Sequence, residues 1–440
     1  MLPPGPKGNW LLGNARALGA DPLRMISETV REFGETARFR VAKWWIHLIT
    51  RPADVQHVLQ DRVKNYSKRT TGYGRLSNLL LGDGLVTSEG ELWKRQRRIV
   101  QPAFHKQRLQ LLAASMVRAT TEMTGRWTGE RLDLAAEMTH LTLRIVGETI
   151  LGADVSAVVD RCGESFAALN EGLMRRIMAP VNLPLWVPSG ANRRFAARVR
   201  EVDQVVYGMI AERRRAPGES DLISMLLAAR DEETGEGMSD RQLRDEVMTM
   251  FFAGHETTAT ALAWTFFLVG KHPEVERRLR AEVSEVLGGR EAGFEDLERL
   301  RYTRMVIEES MRLYPPVWST MRNTEADDQI GDWSVPRGTW LLASSYLTHR
   351  LPSVWERPDA FEPERFSPER AAARPRFAYF PFLGGPRQCL GNQFSMMEAQ
   401  LILATVTQRQ RLELACETIE MAPLLTLRPV GGVPMIRRAA

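Results

Sequence analysis

Only three cysteines, Cys162, Cys389 and Cys416, occur in 440 residues. None forms a CxxC pair, which excludes a disulfide framework and a thiolate zinc cluster and fits a reducing cytoplasm. Charge of one sign is scarce too: 59 Lys and Arg stand against 54 Asp and Glu, leaving a formal net charge of +5. No basic run is interleaved with aromatics, which argues against nucleic acid as a partner. No Ser/Gly linker, repeat or low-complexity tract divides the chain, so one large domain over 1–440 is expected. The N-terminus lacks the run of about 20 apolar residues that a membrane span needs. Met1-Leu2-Pro3-Pro4-Gly5-Pro6-Lys7-Gly8 stands there instead, and the expectation is a cytoplasmic protein with no membrane anchor.

What is present is apolar bulk, 44% of the residues, and a few punctuated stretches. The chain is organised around Pro381-Phe382-Leu383-Gly384-Gly385-Pro386-Arg387-Gln388-Cys389-Leu390-Gly391. One cysteine stands in a loop broken by glycine and proline, with Arg387 two residues before it. Phe394, Met397, Ala399, Leu401, Ile402 and Leu403 predict a helix entering the core just past Gly391. Backbone N–H groups at such a helix start favour negative charge and lower a thiol pKa. The pattern suits one axial thiolate on a metal whose other ligands are not protein; a cysteine that merely packs is the alternative. A second stretch, Val247 to Gly270, is almost continuously apolar, yet Gly254-His255-Glu256-Thr257-Thr258 lie at its centre. Ionisable groups at mid-span are costly in a bilayer, so a buried central helix from about Asp240 to Gly270 is expected. There Gly254 admits a ligand close to the backbone. Thr257 can hydrogen-bond back to the carbonyl of Ala253 and open the helix locally.

Phe382, Gly385, Arg387, Cys389 and Gly391 match the haem-binding signature of the cytochrome P450 monooxygenases without a departure. Other stretches resemble that family in its order: Trp93 to Arg97 its WxxxR pair, Ala253 to Thr258 its oxygen-activation motif, Glu309 to Arg312 its ExxR, and Pro363-Glu364-Arg365-Phe366 its PERF. The resemblance covers essentially the whole chain and is to the soluble bacterial type. It implies a mainly α-helical fold with small β-sheets, the haem lying between the long central helix and the helix after the cysteine. Cys389 is then the thiolate ligand of haem b, and without a CxxCH motif the haem is expected to be non-covalent. Phe382, Gly385, Arg387, Gly391, Ala253 and Gly254 are implied haem contacts. Trp93 and Arg97, four apart on one helix face, offer an indole N–H and a guanidinium to a propionate, a solvated basic face being the other reading. Arg322, ten residues after Arg312, stands where many relatives place a second propionate ligand. Thr257 and Glu256 are implied to deliver protons to dioxygen, while Glu309, Arg312 and Arg365 form a structural network that holds the cysteine loop.

The implied reaction inserts one atom of O2 into a C–H bond of an apolar small molecule. No glycine-rich dinucleotide turn is seen, and nothing reductase-like follows Ala440. Electrons are therefore expected from a separate ferredoxin or flavodoxin with its NAD(P)H-dependent reductase. Lys94, Arg95, Arg98, Lys106 and Arg108 would form its docking patch, or plain surface. Arg312 to Trp318, His349-Arg350 and Pro381 to Arg387 resemble the fatty-acid-hydroxylating branch, with Ala253 where many eukaryotic members carry a haem-esterified Glu. A fatty acid is the first expectation; a terpenoid, steroid or other natural product is the alternative. A peroxide-driven peroxygenase and a haem-based sensor are readings from other classes, and Thr257 speaks against both. Lys43 and His47, on early strands, are candidates to pair a carboxylate, or are simply solvated. Tyr73, Ala253, Val317 and Trp318 are the candidate pocket residues. Lys64 to Asp83 reads as a loop over that pocket, and Leu424 to Met435 as a closing hairpin. Helix 21–34 and strands 37–41, 45–49, 319–323, 333–335 and 340–343 complete the expected frame.

Overall fold

The computed structural model describes residues 1–68, 78–151, 168–169, 172–173, 176, 184–216, 221–231 and 235–438. Its axis is the helix Asp240–Lys271, capped by the Ser239 side chain, which accepts the Gln242 N–H. The helix is buried almost all round, as a helix without a polar stripe must be. Trp264 shows how it is gripped. The indole stacks on Tyr314 with ring centroids 4.1 Å apart and donates Nε1–H to Leu427 O at 2.6 Å. Helices Leu134–Val146, Gly190–Arg215, Arg301–Leu313 and Asn392–Arg409 pack against this axis. Among the described residues no helix is long and apolar enough to cross a membrane.

The expected N-terminal helix runs Pro22–Phe33, started by Asp21, whose carboxylate accepts the Arg24 N–H at 2.9 Å. Thr36–Val41 and Trp44–Ile49 pair antiparallel. Trp340–Ala343 adds parallel to the second of them, Thr320–Thr324 pairs antiparallel with that, and Tyr66–Ser67 closes the five-stranded sheet. Within the Lys64 to Asp83 stretch, expected to be loop throughout, Tyr66–Ser67 is thus a strand, its two residues facing Thr324 and Asn323. Residues 69–77, including Tyr73, lie outside the described residues. The closing hairpin also differs from expectation. It is Met421–Pro423 with Leu427–Pro429. Pro434–Arg438 belongs instead to a separate sheet with Arg131–Asp133 and Arg411–Leu414. Gly431 and Gly432, both at positive φ, carry the crossover between the two sheets.

The predicted Glu309, Arg312 and Arg365 network is present and fully buried. Arg312 binds Glu309 through two contacts, Nε to Oε2 at 2.7 Å and Nη2 to Oε1 at 2.8 Å, neither side chain having exposed surface. Arg365 Nε lies 3.3 Å from Glu309 Oε1, and the Glu362 N–H donates to the same oxygen at 2.9 Å. The remaining Arg312 donors go to the carbonyls of His349, Pro358 and Ala360. Burial pushes the Glu309 carboxyl up, with the two guanidiniums acting against it. His349 then accepts the Phe380 N–H on Nε2 at 2.9 Å, which carries the network to the start of the cysteine loop. Glu309→Ala would leave Arg312 buried without its carboxylate, and we expect a loss of about 3–5 kcal/mol in chemical denaturation, with failure to retain haem. An unshifted midpoint with full haem retention would remove the network from this role.

Candidate active site

The cysteine loop is shaped before any ligand is considered. Cys389 N–H donates to Phe382 O at 2.9 Å and Gln388 N–H to Gly385 O at 3.1 Å. Gly385 has φ +66°, and a Cβ there would stand 2.2 Å from Leu59 O, so only glycine fits. Gly391 caps the helix Asn392–Arg409, and its N–H hydrogen-bonds the Cys389 sulfur. The predicted lowering of the thiol pKa is not met. Burial pushes the Cys389 thiol up, outweighing Gly391 and the Arg97 charge. A bound cation is what would hold this sulfur as a thiolate. The Cys389 side chain nonetheless presents surface, as does Ala253, and Gly254 and Thr257 do so in part, although the helix around them is otherwise buried. Surface at these positions, within elements otherwise buried, is where a bound group could be covered. The Thr258 and Ser395 hydroxyls meet at 3.0 Å and tie the central helix to the helix after the cysteine.

Cations converge near the cysteine loop. Arg97 and Trp93 share a helix face as predicted, the guanidinium 5.7 Å from the indole centroid, and Arg97 Nη1 donates to Gln388 O at 3.0 Å. The Arg387 guanidinium lies 3.9 Å from the Trp93 ring centroid, donates to Ser88 O at 3.0 Å and pairs with Glu89. Arg322 is buried and donates to Thr320 Oγ1 and Met321 O, both at 2.8 Å. Lys68, which no motif singled out, donates Nζ–H to Val86 O at 2.5 Å. Burial and then the charges of Arg322 and Arg387 push its pKa well down, with Glu89 acting the other way. Positive charge gathered in a buried place suits an anionic group carrying carboxylates.

On the central helix, Thr257 donates Oγ1–H to Ala253 O at 2.7 Å, the bond read from the sequence. The expected local opening is absent. The helix is continuous from Asp240 to Lys271, because a threonine hydroxyl can share the i−4 carbonyl without displacing its N–H bond. Glu256 does not turn to Thr257 in this structure. Its Oε1 accepts from Arg428 Nη2 at 2.7 Å, Arg428 Nε at 2.9 Å and Thr426 Oγ1 at 2.5 Å. A second acid, Glu398, lies fully buried on the helix after the cysteine, its two oxygens without a hydrogen-bond partner, and burial pushes its carboxyl well up.

Of the predicted pocket residues, Val317 O accepts Ser345 Oγ–H at 2.6 Å, and Trp318 Nε1–H goes to Leu424 O at 2.8 Å on the closing hairpin. The carboxylate anchor fails. His47 is 2% exposed, and burial with the Arg38 charge lowers its pKa to about 4, so it is a neutral core residue. Lys43 is exposed at the strand turn, 5.4 Å over Trp44. In the expected docking patch, Lys94, Arg95, Arg98 and Lys106 each face an acid of this chain, at 2.6 to 3.8 Å.

The family model for cytochrome P450 matches residues 3–431. The chain belongs to the cytochrome P450 family. It is 37% identical over 429 residues to cyclooctat-9-en-7-ol 5-monooxygenase of Streptomyces melanosporofaciens, covering 97% of this chain and 93% of that one. Pentalenene oxygenase of Streptomyces avermitilis is 32% identical over 96% of this chain and 92% of its own. Human cytochrome P450 4F3 is also 32% identical, over 98% and 89%. This cytochrome P450 is a monooxygenase of a family whose haem b is ligated by a cysteine. Its residues fit that group. The Cys389 side chain presents surface, Gly385 lets the loop approach Leu59, and the donors of Lys68, Arg97 and Arg322 are of the kind that carboxylate substituents would take. Cys389→Ser should abolish the ferrous–CO Soret position characteristic of sulfur ligation; an unchanged band would move the ligand elsewhere.

Proposed function

We propose that this cytochrome P450 hydroxylates a terpenoid. Full-length similarity to the cyclooctat-9-en-7-ol and pentalenene oxidising enzymes carries the reading. The fatty-acid expectation has weaker support, since its candidate anchor His47 is buried and neutral. When bound through a thiolate, haem supplies the reductive activation of dioxygen. The chain's own residues do the rest. Cys389 would hold the iron, with Gly391 and Arg97 acting on its sulfur, and Lys68, Arg97, Arg322 and Trp93 would hold the propionates. Arg387, paired with Glu89, buttresses Trp93. Thr257 keeps its hydroxyl at the exposed centre of the helix, where it can hold and pass a proton. Glu256 acts with it only after leaving Arg428. Ala253, Val317 and Trp318 border the substrate space, which excludes water around it. Electrons come from a separate ferredoxin or flavodoxin with its reductase, in the cytoplasm, where the cysteine usage is at home.

Two measurements test this. Titration of the ferric protein with a polycyclic terpenoid should give a saturable low- to high-spin Soret shift, and a long-chain fatty acid should give a smaller one or none. The reverse order would return the substrate to the fatty-acid class. Thr257→Ala should lower product formed per reductant consumed by about tenfold or more, with peroxide in its place. Unchanged coupling would remove Thr257 from proton handling.

A further inference from the structure

Several of the most exposed apolar side chains gather at one place. Trp10 is 84% exposed and Leu11 59%, while Trp44 and Trp45 are 42% and 43% exposed. Backbone contacts bring these two segments together. Ala42 N–H donates to Leu12 O at 3.0 Å, Gly13 bridges Val41, and Arg40 Nη2 donates to Asn9 O and Trp10 O, each at 2.7 Å. The loop carrying Trp10 and Leu11 therefore runs along the outer edge of Thr36–Val41, beside the turn at Ala42 and Lys43.

Charge on these two segments has one sign, while the neighbouring strand ends add Arg337 and Asp327, joined through the Arg337 N–H. Lys7, Arg16, Arg38, Arg40 and Lys43 lie in 1–20 and 36–50, which contain no Asp or Glu. Arg38 stands 4.4 Å over Trp45 and Lys43 5.4 Å over Trp44. The nearest acids in sequence, Asp21 and Glu35, are elsewhere: Asp21 caps a helix, and Glu35 precedes the opposite end of the strand. Indoles favour the boundary between water and hydrocarbon, where the ring leaves water and the N–H stays hydrated. Lys and Arg beside them are attracted by the negative surface potential of anionic lipid.

We propose that this end of the sheet is a contact surface for an anionic lipid bilayer. Trp10, Leu11, Trp44 and Trp45 enter the interfacial layer, and Lys7, Arg38 and Lys43 lie over the headgroups. A loop and a hairpin turn form a projecting edge, which inserts into lipid more readily than it builds the flat patch of about 800 Å² per partner that a stable protein interface needs. The surface does not depend on which substrate the enzyme takes, although an apolar one partitions into the same bilayer.

The test is co-sedimentation of the holoenzyme with phosphatidylcholine vesicles, with and without phosphatidylglycerol. Binding should require phosphatidylglycerol and be reversed by about 0.5 M salt, where screening is nearly complete within a few ångströms. Trp10→Ser and Lys43→Glu should each weaken partitioning, and Trp10→Ser combined with Trp44→Ser should lower it by about tenfold or more. Trp44 stacks on Trp340 at 5.2 Å between centroids, so Trp10→Ser, at a side chain outside the packing, guards against misfolding. An unchanged ferrous–CO spectrum confirms that each variant is intact. No sedimentation with anionic vesicles overturns the proposal, as does sedimentation that Trp10→Ser and Lys43→Glu leave unaltered. Self-association abolished by Trp10→Ser, without vesicle binding, would assign the surface to a second copy instead.

Discussion

A carboxylate and a guanidinium with no exposed surface, Glu309 and Arg312, meet along two parallel contacts in the interior. Removing two such charges from water costs several kcal/mol each, and their attraction alone does not reliably offset it. What makes the arrangement stable is that the surplus donors are used. Three backbone carbonyls, from His349, Pro358 and Ala360, accept from the same guanidinium. A segment without regular structure is thereby fixed to a helix by charge-assisted bonds. Through His349 and Phe380 the fixing reaches the loop that presents Cys389. The position of the sulfur is thus a consequence of a pair that does no chemistry.

Around that sulfur the protein builds two unlike environments. On one side stand Ala253 and Gly254, which present surface on an otherwise buried helix. The other gathers Lys68, Arg97, Arg322 and Arg387 around one indole and one carboxylate. A flat molecule with an apolar body and acidic substituents is oriented by such a gradient without covalent attachment. The thiol itself is disfavoured as an anion by its surroundings, so metal and ligand stabilise one another.

Much of this was legible in the sequence because it is local. Cys389, Gly385 and Gly391 act through backbone geometry within one loop, and Thr257 reaches Ala253 within one helical turn. Glu309 and Arg312 are three apart and share a face. What was not legible depends on residues far apart along the chain. Nothing near Glu256 announces Arg428, 172 positions later, and nothing near Lys68 announces Arg322. His47 was misjudged for a related reason. Alternation suggests a solvated face, but its strand is interior to the sheet and is covered on both sides from Ile46 onward. The closing hairpin was displaced because glycines at 431 and 432 mark a crossover as readily as a turn.

The attachment of the last hairpin to the central helix also bears on how the chain reaches its native state. Trp264 to Leu427 and Glu256 to Arg428 are contacts between residues 163 and 172 positions apart. Loop closure of that length delays such pairings relative to local ones. During synthesis the central helix emerges long before its partner segment, so its polar middle stays hydrated while the neighbouring helices assemble. Completion of the interior then waits for the C-terminal segment, and chains shortened by even a few dozen residues would stall as compact species with a wet, unsealed centre.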